Sequence, residues 1–116
     1  MSESIIRTAN ISDIEQLAAL FDVYRQCYGQ APDLVIAKAF IADRLHHKDA
    51  VIFVAENSDK NLIGFCQVYP SFYSVIAAKI GVLYDLYVES SIRKIGTGRS
   101  LMLAAHEYAA NNGFAR

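Results

Sequence analysis

The sequence predicts an α/β (α+β) fold, a mixed, mostly antiparallel sheet flanked by helices, in one domain over residues 1–116. Three stretches predict it. Tyr84 to Asn112 reads as a strand rich in aromatic and β-branched residues, a glycine loop, and a helix whose Leu101, Met102, Ala105, Tyr108 and Ala109 form one apolar stripe. Val51 to Ala55 and Leu62 to Tyr69 are apolar runs of strand length. The turn chemistry of Asn57-Ser58-Asp59-Lys60-Asn61 separates them, which predicts an antiparallel hairpin. Ile14, Leu17, Leu20, Phe21 and Tyr24 recur at the spacing of an amphipathic helix.

In chain order, Ile5 to Thr8 is a short strand. Ser12 with Glu15 has the spacing of a capping box and starts the first helix, which Gly29 stops. Pro32 precedes a second helix over Asp33 to His46, with Leu34, Ala37, Ile41 and Leu45 on one side. After the Val51 to Ala55 strand, Gly64 inside the next one marks a bulge or a close approach. Pro70 ends that strand, and Ser71 to Ser74 form a loop rich in aromatics. Ala77 to Val88 is the long central strand, with Gly81 a point of bending. A helix covers Ser100 to Asn112, and Phe114-Ala115-Arg116 starts another strand.

The glycine loop carries the chemistry. The first N–H groups of a helix lack partners within it and lie at the positive end of its dipole. Gly96 and Gly98 let a ligand approach the backbone, while Arg93, Lys94 and Arg99 supply positive charge, so a diphosphate suits this junction. The same residues also describe an ordinary strand-to-helix turn with a solvated basic rim. The whole string decides between them. Arg93-x-x-Gly96-x-Gly98, following the strand Asp85-Leu86-Tyr87-Val88, resembles the acetyl-CoA signature of the GNAT N-acetyltransferase superfamily: Arg or Gln, two residues, Gly, one residue, then Gly or Ala. The hairpin strands and the opening strand and helices resemble that family in the same order, over essentially the whole chain.

The resemblance implies transfer of an acetyl group from acetyl-CoA to a primary amine of a small molecule or protein by direct attack. It implies that Arg93, Lys94, Ile95, Gly96, Thr97, Gly98 and Arg99 wrap the diphosphate. The main chain of Leu86, Tyr87 and Val88 would pair with the pantetheine arm and polarise the thioester carbonyl. Asp85 is the expected base or amine-binding carboxylate. Strand alternation sets it on the face opposite Leu86. Tyr24, Tyr28, Tyr69, Phe72 and Tyr73 are expected to line the acceptor pocket, against the alternative of plain packing. In relatives a Tyr beyond the position of Arg116 protonates the leaving thiolate, so this chain alone is expected to be slow. A non-catalytic CoA-binding or interaction module is the competing expectation.

Composition bounds these readings. A chain that is 53% hydrophobic can bury a core and is too apolar to be disordered. A net charge of −1 gives no global field for nucleic acid or an anionic membrane. Cys27 and Cys66 have no metal-type spacing and read as buried free thiols, which fits a reducing, cytoplasmic setting. His46-His47 reads as a capping cation pair rather than a metal site, so no metal is expected. The resemblance also implies further C-terminal strands that this sequence does not contain, which leaves a free edge on the central strand. A longer chain, a degenerate relative, or a second copy supplying that edge in a homodimer are the three expected accounts.

Overall fold

In the computed structural model, which describes residues 5–89 and 96–114, the strands run β1 (Ile5–Thr8), β2 (Val51–Glu56), β3 (Leu62–Tyr73) and β4 (Ala78–Val88). They form one sheet in the order β1-β2-β3-β4. Every pairing among the described residues is antiparallel. Helices α1 (Ile14–Cys27) and α2 (Leu34–His47) connect β1 to β2, and α3 (Thr97–Asn111) follows β4.

The apolar runs of β2 and β3 are continuous because both faces of the sheet are covered. Ile52, Val54 and Phe65 pack under Leu17, Leu20 and Phe21 of α1 and Ala37 and Ile41 of α2. The intervening Phe53, Ala55, Cys66 and Val68 pack with Val88 against Leu101 and Ala105 of α3. Burial pushes the Cys66 thiol up to about 12, so it is an inert part of this core. Cys27, in contrast to the expectation, is exposed, because the last turn of α1 has left the sheet.

Helix α1 starts differently from the capping box expected at Ser12 and Glu15. A 3-10 turn at Ile11–Asp13 precedes it, and Asn10 is the cap. The Asn10 N–H donates to Asp13 Oδ2 at 2.8 Å, and the Ser12 N–H donates to Asn10 Oδ1 at 3.0 Å. Asp13 wins this role because Arg7 of β1 clamps it with two hydrogen bonds of 2.8 Å each, while also reaching Glu56 of β2. The Arg7 guanidinium holds the Asp13 carboxyl below the usual carboxylate range. A carboxyl lowered by folding stabilises the fold above its unfolded value and loses that contribution as pH falls through the folded one. Arg7→Leu is therefore expected to cost ~1 kcal/mol at pH 7, or ~4 °C in Tm, since the pair is only partly shielded from water. The gap should begin to narrow below about pH 4, the ordinary carboxylate value, and close only as pH falls through the lower value that Asp13 has in the folded chain.

Strand β3 does not end at Pro70. It runs on to Tyr73, with Pro70 opposite Gly81, and the expected loop at Ser71 to Ser74 is replaced by strand and then a 3-10 turn at Ser74–Ile76. Proline instead marks where the strand leaves the core: Leu62 to Val68 are buried, and Pro70 to Tyr73 are exposed. β2 reaches no farther than Val68, so the outer part of β3 has an edge that tolerates a missing N–H. Pairing skips one residue twice, at Ile63 of β3 and at Tyr84 of β4. Gly64, beside the first of these bulges, is a close approach: an added Cβ would lie 2.9 Å from the Tyr87 carbonyl oxygen. Gly64→Ala must push β4 away, and a loss of ~1–3 kcal/mol is expected in chemical denaturation.

Phe114 is not in a strand. Its ring is buried against Gly81 and packs edge-on to Tyr108 at 5.9 Å. Ala115 and Arg116 lie outside the described residues, as do Arg93, Lys94 and Ile95. Among the described residues, no helix is long and apolar enough to cross a membrane, and no group of three His, Cys, Asp or Glu side chains could hold a metal.

Candidate active site

The apolar stripe of α1 ends in Tyr24, whose ring packs on Phe65 of β3 and Tyr87 of β4. This places its hydroxyl over the middle of β4, where it donates to Asp85 Oδ1 at 2.8 Å. Two further groups from β3 donate to Asp85 Oδ2: the Tyr69 hydroxyl at 3.0 Å and Gln67 Nε2 at 3.1 Å. An ionised carboxylate only accepts hydrogen bonds, and all three contacts are donors aimed at it. Burial, together with the charge and hydrogen bond of Asp85, raises the titration of both tyrosines well above the ordinary phenol value. Their hydroxyls therefore remain donors throughout the neutral range.

The bulge at Tyr84 decides what Asp85 faces. Simple alternation would put Val82 and Tyr84 on one face and Asp85 on the other. Because pairing runs from Gln67 opposite Asp85 directly to Val68 opposite Leu83, Val82, Tyr84 and Asp85 all line one cavity on the α1–α2 face. That cavity has a volume of about 630 Å³. Its wall also includes Phe21, Tyr24 and Arg25 of α1, Tyr28 at the C-cap of that helix, Phe40 of α2, and Tyr69 of β3. The expected pocket residues Tyr24, Tyr28 and Tyr69 are thus brought together. Phe72 and Tyr73 are not in the wall: the β3–β4 hairpin carries them outward, and Phe72 is 79% exposed.

A second, smaller groove of about 260 Å³ is lined by Leu86, Tyr87, Val88 and Gly98. It lies where the C-terminal end of β4 meets the first turn of α3. Gly96 caps that helix with φ of +80°, a conformation that glycine adopts without strain. Gly98 faces the groove, and among the described residues a Cβ there would meet only Val88 Cγ2, at 3.8 Å. Val88 is also packed in the core with Leu101, as expected for its side chain. Thr97 is buried, its hydroxyl without a hydrogen-bond partner among the described residues, and Arg99 is exposed. Arg93, Lys94 and Ile95, expected to bind the same ligand, lie outside the described residues.

Sequence reasoning missed Gln67. It is fully buried, and its Oε1 has no hydrogen-bond partner among the described residues. A signal was available: a glutamine in the middle of an otherwise apolar, doubly covered strand needs a buried polar partner. Tyr84 and Arg25 in the cavity wall were also missed. The first depends on the bulge, and the second on a turn of α1 beyond its apolar stripe.

Residues 16–116 match the model of the acetyltransferase (GNAT) family. The chain is 44% identical over 108 residues to the uncharacterized N-acetyltransferase YhfO of Bacillus subtilis, covering 93% of this chain and 72% of that protein. A probable acetyltransferase of Haemophilus influenzae is 33% identical over 76 residues, which cover 66% of this chain and 52% of the relative. A crystal structure of a probable acetyltransferase superposes with a TM-score of 0.91 at 32% identity, over 97% of this chain and 75% of that one. With a family match over residues 16–116, a relative 44% identical over 93% of its length, and a fold that superposes on a probable acetyltransferase, this chain belongs to the GNAT acetyltransferase family.

Proposed function

We propose that the protein transfers the acetyl group of acetyl-CoA to a primary amine, with the amine in the Asp85 cavity and the cofactor along the Leu86–Gly98 groove. The observation that carries this reading is adjacency: consecutive residues of β4, Asp85 and Leu86, line the two cavities. A nucleophile bound on one face and a thioester along the other would meet at the same strand. Gly96, Thr97, Gly98 and Arg99 would hold the diphosphate, together with Arg93, Lys94 and Ile95. The main chain of Leu86, Tyr87 and Val88 would lie beside the pantetheine arm and the thioester.

In this reading the amine nitrogen attacks the thioester carbonyl. A C–N bond forms, the C–S bond breaks, and CoA departs as its thiolate. The bound ammonium first gives one proton to Asp85, directly or through water, which frees the nitrogen lone pair; the second proton, lost as the C–N bond forms, goes to water or to the departing thiolate. Asp85 first holds the incoming ammonium, with Tyr24, Tyr69 and Gln67 orienting its carboxylate. These three are positioning residues.

The test is a thermal-shift titration with acetyl-CoA, followed by measurement of thiol release on adding an amine. A ligand that binds only the folded state stabilises it by ~2.7 kcal/mol at a hundredfold excess over Kd. A rise in Tm with acetyl-CoA and amine-dependent thiol release are expected. The absence of any shift would overturn the assignment of the groove. A shift with no thiol release for any amine would favour a CoA-binding module instead.

A further inference from the structure

We infer that the acceptor is a small monoamine with an aromatic or apolar body, and that polyamines and aminoglycosides are poor substrates. The inference rests on the reading above, in which Asp85 receives the amine.

The charges in the cavity wall carry it. Among the described residues, Asp85 is the one carboxylate in the wall and Arg25 the one cation. Asp22 stands behind Arg25 and is already used: its carboxylate accepts from Arg25 at 3.3 Å, from Gln26 at 3.3 Å and from the Asp33 N–H at 3.0 Å. It is buried and outside the wall, tying α1 to the start of α2. A first ammonium therefore finds a counter-ion in Asp85. A second would find none among the described wall residues and would meet Arg25.

The rest of the wall determines what the body of the substrate gains. Phe21, Tyr24, Tyr28, Phe40, Tyr69 and Tyr84 supply rings from α1 and its C-cap, from α2, from β3 and from β4. Phe21 stacks on Phe40 at 5.3 Å, Tyr24 meets Tyr28 edge-on at 5.1 Å, and Tyr69 meets Tyr84 edge-on at 5.6 Å. Such walls favour the burial of an apolar or aromatic body. They also attract a cation through their faces, but more weakly than a carboxylate does. A volume of about 630 Å³ lies within the range of pockets for one small molecule. A ring two carbons from an amine fits both demands; a flexible chain with several ammonium groups meets only the first.

The experiment is calorimetric titration of the full chain, with CoA present, using phenethylamine, ethylamine and spermidine, repeated for Asp85→Asn and Arg25→Glu. Phenethylamine is expected to bind at least tenfold more tightly than either of the others, and to lose at least tenfold in Asp85→Asn, with folding checked by circular dichroism. Arg25→Glu, which adds a second carboxylate to the wall, should raise the affinity for spermidine relative to phenethylamine at least tenfold. Spermidine binding as tightly as phenethylamine to the unsubstituted chain would overturn the inference while leaving acetyl transfer intact. CoA binding with no amine bound would likewise overturn this inference alone. Loss of CoA binding as well would overturn the underlying reading with it.

Discussion

Asp85→Asn is expected to lower kcat/KM for the amine by ~10²–10⁴-fold, the usual worth of a positioned proton acceptor. The substitution keeps the size of the side chain and removes its charge. It also disturbs the hydrogen bonds, because Tyr24, Tyr69 and Gln67 all donate to the carboxylate, whereas an amide offers one acceptor oxygen and a donor group. With its oxygen in the place of Oδ2 the amide still accepts from Tyr69 and Gln67, and its NH2 faces the Tyr24 hydroxyl, which must turn from donor to acceptor. The affinity for acetyl-CoA should be unchanged, because Asp85 lines the amine cavity and not the groove. Tyr24→Phe removes one donor and keeps the ring, so a smaller loss in kcat with little change in Tm is expected. Turnover unchanged in Asp85→Asn would remove the carboxylate from the reaction and leave solvent water as the proton acceptor.

Gly98→Glu should weaken acetyl-CoA at least a hundredfold, about 2.7 kcal/mol, and abolish the thermal shift at ligand concentrations that saturate the unsubstituted chain. The position is chosen for what surrounds it. Gly96 has φ of +80°, so any side chain there strains the backbone and confounds binding with folding. At Gly98 a new Cβ meets, among the described residues, only Val88, at 3.8 Å, an ordinary contact. The fold should accept the substitution, with Tm nearly unchanged in the absence of ligand, while the new carboxylate enters the groove lined by Leu86, Tyr87 and Val88. Undiminished affinity in a folded Gly98→Glu chain would remove the β4–α3 junction as the cofactor site.

These two sites differ in how far the sequence reveals them. The junction is local: a strand, two glycines and a helix in one stretch of chain. Its position in the fold follows from the order of those residues, as do the hairpin of β2 and β3 and the amphipathic face of α1. Each of these elements is encoded by near neighbours, through apolar runs, turn residues and helical spacing. Asp85 was legible for the same reason, as an acid in an otherwise apolar strand beside that junction.

The surroundings of Asp85 were not legible. Its hydrogen-bond partners lie 61, 18 and 16 residues away along the chain. The strand register that brings Gln67 opposite Asp85 is a property of the pair, not of either strand. The cap of α1 shows the same limit, since Asn10 and Asp13 prevail over Ser12 and Glu15 only once Arg7 of β1 is beside them. So does Pro70, which ends burial rather than the strand because β2 has already stopped.

By itself, then, the sequence determined the elements, their order, the family and the acid on β4, because all of these are written in short-range pattern. Tertiary structure alone decided that a bulge at Tyr84 brings Val82, Tyr84 and Asp85 to one cavity, and that among the described residues this cavity holds a single carboxylate amid aromatic rings. The physical reason is that a bulge exists only as a mismatch between two paired strands, and a cavity only as the space that several packed elements leave between them.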